Sequence, residues 1–125
     1  MSFSNPRSDH ARPSEADSLL DNIKRLFTTN QGTNIYCPFL GVRAKQEIAH
    51  LLEEEPETLE SELQRMFQIY EPRVRNVYFS DWRTEKETDA LFCRVTMVHK
   101  ESDREYVYGI SFRDNVRENG VVAEI

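Results

Sequence analysis

The sequence predicts an α+β domain in which N-terminal helices pack on one face of a three- to four-stranded antiparallel sheet. Two observations carry this. Apolar residues recur at helical spacing through Leu59, Leu63, Met66, Phe67 and Tyr70, then alternate as in strands beyond Arg73. The segments also come in blocks, three helices followed by three or four strands, with short polar stretches between the strands. That order suits helices laid over an antiparallel meander rather than a parallel βαβ sheet.

The first helix is expected to begin near Ser14, whose hydroxyl can cap it while Asp17 supplies the acidic residue of a Ser-x-x-acid start. Ala16, Leu19, Leu20, Ile23, Leu26 and Phe27 define its apolar face. It should end around Thr29 or Asn30, with Gly32 available for left-handed backbone. A loop from Thr33 to Val42 follows, and its Tyr36, Cys37, Pro38 and Phe39 suggest packing on the domain. Ile48, Leu51 and Leu52 support a short helix from about Ala44 to Leu52. Pro56 separates it from a longer helix over Glu57 to Tyr70. The run Glu53-Glu54-Glu55 reads as a solvated helix end and linker.

Past Arg73, strict alternation puts Val77 and Phe79 on a face with Arg73 and Arg75, and Val74, Tyr78 and Trp82 on the other. Thr84 to Asp89 is a turn. Leu91, Cys93, Val95 and Met97 alternate with Phe92, Arg94, Thr96 and Val98. A turn over Lys100 to Asp103 then leads to Tyr106, Tyr108, Ile110 and Phe112, so these two strands should form an antiparallel hairpin. Asn119-Gly120 turns the chain into a short terminal strand over Val121 to Ile125. A meander of this kind leaves an unpaired edge, which is a site for strand addition.

The bulk properties narrow the function. A chain of 125 residues with 38% hydrophobic and 30% charged residues suits one domain, read here as residues 14–125 behind a disordered tail, Met1 to Pro13. No apolar run approaches a membrane span, and the tail lacks the apolar centre of a secretory signal. The net charge of -6 argues against a nucleic-acid or anionic-membrane surface, both of which need a basic stripe. Cys37 and Cys93 are far apart and show no metal-ligand spacing, so both read as reduced thiols of a cytoplasmic protein.

Catalytic patterns are weak. His10, His50 and His99 are scattered, without the clustering a metal site needs. With four glycines there is no phosphate-binding loop, and no serine sits in a nucleophile elbow. Nothing near Cys37 lowers a thiol pKa. Among 22 acidic residues Glu71 is the best candidate for a glycosidase carboxylate, but Arg73 beside it would hold its pKa low where a general acid needs it raised. Tyr106, Tyr108 and Phe112 alternate as a core face does, which is a better fit than a base-stacking platform. No cofactor is expected.

Tyr70-Glu71-Pro72-Arg73 is the most informative stretch. Pro72 cannot continue a helix, and its ring pushes Glu71 towards extended backbone. If the segment is extended, Glu71 and Arg73 point the same way, roughly 6 to 7 Å apart at the backbone. Their side chains can pair with each other, anchoring the corner, or reach out to a partner. On the residues alone the local salt bridge is the favoured reading, and Glu71, Pro72 and Arg73 stand as candidate protein-interface residues through the family resemblance that this segment carries.

The segment Tyr70-Glu71-Pro72-Arg73-Val74, between a helix and a strand, resembles the Glu-Pro-Arg signature of the baseplate wedge family shared by contractile phage tails and type VI secretion systems. Ile23 to Gly32 is similar to that family's N-terminal helix ending, and Tyr108-Gly-Ile-Ser-Phe to Gly120-Val-Val resembles the closing hairpin of its secretion-system branch. The likeness covers about residues 19 to 125. Cys37-Pro38-Phe39-Leu40-Gly41 differs, with one extra residue before the glycine. The resemblance implies a non-enzymatic subunit that touches other baseplate wedge subunits and the first ring of contractile sheath proteins, templating sheath assembly by strand addition. It implies assembly in the cytoplasm at the inner face of the envelope, without direct membrane insertion. Some family members carry a lysozyme-like label, which makes a peptidoglycan hydrolase the alternative, alongside the equivalent wedge subunit of a phage tail or phage-tail-like particle.

Overall fold

A computed structural model describes residues 14–32 and 41–124. Helices α1 (Glu15–Phe27), α2 (Lys45–Glu54) and α3 (Pro56–Tyr70) precede strands β1 (Val74–Thr84), β2 (Leu91–His99), β3 (Glu105–Phe112) and β4 (Gly120–Glu124). A short 3-10 helix, Val116–Glu118, joins β3 to β4. The strands form one antiparallel sheet in the order β1-β2-β3-β4, so the α+β expectation holds with four strands. The expected tail 1–13, most of the loop after Gly32, and Ile125 lie outside the described residues.

Local chemistry sets the helix ends. The Asp17 N–H donates to Ser14 Oγ at 3.1 Å, so Ser14 caps α1. At the other end Thr28 closes the helix through its own N–H and hydroxyl, both donated to the Lys24 carbonyl, two residues before the expected stop. Gly32 does adopt positive φ, but beyond this cap. Gly41 has φ 99, and a Cβ there would lie 2.1 Å from the Thr29 carbonyl oxygen; only glycine lets the chain pass this close to the end of α1. Pro56 is the first residue of α3, where its missing N–H leaves no bond unmade. Ala16, expected on the apolar face of α1, is exposed.

The core lies between the helices and one face of the sheet. Leu19, Ile23, Leu26 and Phe27 of α1 and Leu59, Leu63, Met66 and Phe67 of α3 meet Cys93, Val95 and Met97 of β2 and Tyr108, Ile110 and Phe112 of β3. Phe27 sits 6.0 Å from Phe67 and 5.8 Å from Phe112, ring centre to ring centre, which joins both helices to the sheet. Glu15, in the first turn of α1, accepts hydrogen bonds from Ser102 Oγ and Tyr106 Oη, both at 2.6 Å, and so ties the helix to the β2–β3 hairpin.

Strict alternation along β1 fails. Two residues of β1, Asn76 and Val77, oppose the single residue Met97 of β2 between Arg75 and Tyr78, and Asp81 and Trp82 likewise oppose Cys93 between Ser80 and Arg83. Asn76 (φ 55) and Asp81 (φ 57) take left-handed backbone within these bulges. Each extra residue shifts the side-chain phase, so Val74, Phe79 and Trp82 all reach the core, while Arg75 and Tyr78 lie on the open face. This corrects the expected grouping of Phe79 with Arg75 and of Val74 with Tyr78.

The two sheet edges are unlike. On β1, Gln64 Nε2 donates to the Val77 carbonyl at 2.7 Å and the Phe79 N–H donates to Glu60 Oε2 at 3.1 Å. Two side chains of α3 thus stand in for a neighbouring strand, and the two bulges twist the same edge. Beyond its pairing with β3, the backbone of β4 makes no hydrogen bond among the described residues, and Val122 at its centre is 59% exposed. Natural sheets protect edges with charges, prolines, bulges or covering elements. The β1 edge has such protection, whereas β4 has neither proline nor bulge.

Candidate functional site

The corner after α3 is built by Pro72. Glu71 leaves the helix at φ -139, ψ 65, while its N–H still bonds the Phe67 carbonyl at 2.8 Å. Pro72 and Arg73 form a turn, and β1 starts at Val74. The expected extended segment is therefore replaced by a turn, because the helix must reverse onto the sheet within two residues. The Lys100 N–H donates to the Arg73 carbonyl at 2.8 Å and pins this turn to the β2–β3 hairpin.

The two charged side chains meet all the same. Arg73 Nε donates to Glu71 Oε2 at 2.7 Å and Nη2 to Oε1 at 2.6 Å, a bidentate pair. The Glu71 side chain is 1% exposed and points inward, whereas the Arg73 side chain is 40% exposed. Asn22 on α1 donates to Glu71 Oε1 at 2.9 Å and to the Tyr70 carbonyl at 3.1 Å, and Ser18 Oγ accepts from Arg73 Nη1 at 2.8 Å. Arg25 in turn donates to Asn22 Oδ1 at 2.6 Å.

Every oxygen of the buried carboxylate thus has a donor, which a buried charge requires. Burial alone would raise the Glu71 pKa, but the bonds from Arg73 and Asn22 outweigh it and hold the carboxyl below its ordinary range. The hydrogen bond to Glu71 raises Arg73 in turn. An ionised, enclosed carboxylate of this kind serves as the counter-ion of a fixed guanidinium. A general acid needs the opposite shift and contact with substrate.

Outside the pair, Asp21, Arg25, Tyr70 and Pro72 surround Arg73 in a shallow concavity between α1 and the corner. Of the three candidate residues, Glu71 is enclosed, Pro72 is exposed and Arg73 spans both environments. Sequence reasoning missed Ser18, Asn22 and Arg25. Their signal was a polar stripe at i, i+4 and i+7 along one flank of α1's apolar face, the spacing that brings side chains to a common side.

Other candidate chemistry stays dispersed. No group of three or more metal-ligating side chains occurs among the described residues, and Cys37 and His10 lie outside them. Cys93 is buried, and burial pushes its thiol pKa well up, away from reactivity. No described helix is long and apolar enough to cross a membrane. No protein-family model and no curated protein matches the chain.

Proposed function

We propose that this protein is a structural baseplate subunit of a contractile injection machine, of the kind called TssE in type VI secretion systems. In this reading it links the wedge to the sheath and templates sheath assembly in the cytoplasm. The observation that carries the reading is the Glu71-Pro72-Arg73 corner. Its carboxylate is buried and committed, and it holds a partly exposed guanidinium in one orientation at the surface. The Nε–Nη2 fork is committed to Glu71 and Nη1 donates to Ser18, so the remaining N–H groups of this fixed, partly exposed cation are what suit directional recognition of a partner's carboxylate or carbonyl groups. The resemblance of residues 70–74 to the family signature, and the outer side of β4, which pairs with no strand among the described residues, support the same function.

The test is co-purification of the full chain with the wedge and sheath subunits of such a system. Retention of both, lost on Arg73→Lys with the fold intact, supports the proposal, because lysine keeps the charge and loses the fork. The peptidoglycan hydrolase alternative requires release of soluble fragments by the purified protein, abolished by Glu71→Gln. The low pKa and enclosure of Glu71 weigh against that outcome.

A further inference from the structure

The start of α1 and the β2–β3 turn meet at one buried imidazole. His99, the last residue of β2, pairs with Val74 of β1 and lies on the face of the sheet that α1 covers. Its Nδ1 accepts the Glu101 N–H at 3.2 Å and the Ser102 N–H at 3.4 Å. A ring nitrogen that accepts carries no proton, so these bonds place the proton of the neutral ring on Nε2. Neither N–H has another acceptor among the described residues, and residues 100–103 are exposed. The Nδ1 lone pair is thus the inner brace of the turn.

The same nitrogen faces a carboxylate. Glu15 Oε1 lies 3.5 Å from Nδ1, while Oε2 is held by Ser102 Oγ and Tyr106 Oη. Those two bonds hold the Glu15 carboxyl below its ordinary range, so it is ionised where imidazoles titrate, between about pH 5 and 8. Between a carboxylate and a lone pair there is no donor, and one added proton supplies it. Nδ1 carries either a proton or a lone pair, so donating to Glu15 ends its acceptance from Glu101 and Ser102. The two arrangements exclude each other at a single atom.

The surrounding charges leave Glu15 as the acceptor. Arg73 ahead of β1 and Arg104 across the hairpin both act on Glu15, and Tyr106 of β3 donates to it. Lys100, Glu101 and Asp103 belong to the exposed turn, where Asp103 pairs with Arg75. Among the described residues Glu15 is the one anion within ion-pair distance of the ring. Both partners of His99 also reach the corner. The Lys100 N–H holds the Arg73 carbonyl at 2.8 Å, and Ser18, one helical turn beyond Glu15, accepts from Arg73 Nη1.

We propose that His99 is a proton-driven switch between two bracing states. Neutral, it holds the β2–β3 turn through Nδ1. Protonated from solvent, it donates to Glu15, clamps the start of α1 and releases the Glu101 and Ser102 N–H groups to water. The turn that grips the Arg73 carbonyl then loosens, so mild acid is felt at the corner. This inference goes beyond the baseplate reading and does not depend on it.

The test is an NMR titration of the isotope-labelled full chain from about pH 8 to about pH 5, following the His99 ring nitrogens and the amides of Lys100, Glu101 and Ser102, with His99→Gln identifying the ring signals. At the alkaline end Nδ1 should be the unprotonated nitrogen. On acidification the three amides should shift with the midpoint of the His99 ring. Glu15→Gln should move that midpoint down by roughly 0.5 to 1 pH unit, because a unit charge 3.5 Å away acts that strongly even at the dielectric constant of water. A proton on Nδ1 at the alkaline end, or Glu101 and Ser102 amides that do not follow the ring, overturns the proposal, and wild type alone decides both. A midpoint unmoved in Glu15→Gln overturns the role of Glu15, and a Lys100 amide that stays fixed overturns the link to the corner.

Discussion

Replacing Arg73 with alanine removes both donors that grip the Glu71 carboxylate and the bond to Ser18, leaving a side chain that is 1% exposed with Asn22 as its remaining side-chain donor. Breaking a fully buried pair costs about 3 to 5 kcal/mol, but the guanidinium is 40% exposed and water can reach part of the vacated space. The expected loss is therefore about 2 to 3 kcal/mol near neutral pH. Its pH dependence has a definite sign. In the wild type the folded pKa of Glu71 lies below the unfolded value, so the pair's stabilisation is present above the ordinary carboxylate range and fades as pH falls through the folded pKa. Without Arg73 burial dominates, the folded pKa rises above the unfolded one, and acidification relieves the variant by protonating the stranded carboxylate. Urea unfolding of both proteins at neutral pH and at about pH 4 should show the deficit shrinking on acidification. Adding Glu71→Gln to Arg73→Ala should recover part of the loss. A loss below about 0.5 kcal/mol, or one that does not change with pH, would refute the account of the corner.

Three further outcomes follow from the packing. The Tyr108 hydroxyl is buried without a hydrogen-bond partner among the described residues, and burial pushes its pKa up to about 12. Tyr108→Phe should therefore be neutral or stabilising by about 1 kcal/mol in urea unfolding, and a clear destabilisation would point to an undetected partner. Gly41→Ala combines positive φ with a Cβ 2.1 Å from a carbonyl oxygen. It should cost at least about 2 kcal/mol in thermal unfolding, and a silent substitution would contradict the close approach at the end of α1. Glu60→Ala with Gln64→Ala strips both caps from the β1 edge, and should lower stability by about 1 to 2 kcal/mol and raise concentration-dependent association by light scattering. Unchanged behaviour would mean that the caps do not guard that edge.

Much of the fold was legible because it rests on local signals. The apolar spacing of α1 and α3, the cap at Ser14, Pro56 and Pro72 as punctuation, and the alternation of β2 and β3 all act within a few residues. The phase of β1 was not legible from alternation, since Asn76 and Asp81 each absorb one residue in left-handed backbone. Their types carried a hint, because Asn and Asp tolerate that conformation better than other side chains. At the candidate site, Pro72 and the charge pair were visible, but the inward turn of Glu71 depends on Ser18 and Asn22, some fifty residues away in sequence. Burial of that kind is set by how α1 packs beside α3, a long-range arrangement that pattern alone does not encode. The difference between the two edges was hidden for the same reason, because it lies in helix side chains bonding strand backbone.

The most direct measurement of the central claim is a pull-down of purified wedge and sheath subunits from a contractile system on the immobilised full chain, comparing wild type with Arg73→Lys after both are shown to be folded. The account predicts that wild type retains both partners and that Arg73→Lys loses at least one of them. Retention no better than an empty matrix by wild type, or equal retention by both proteins, would contradict the claim that the corner is an assembly contact.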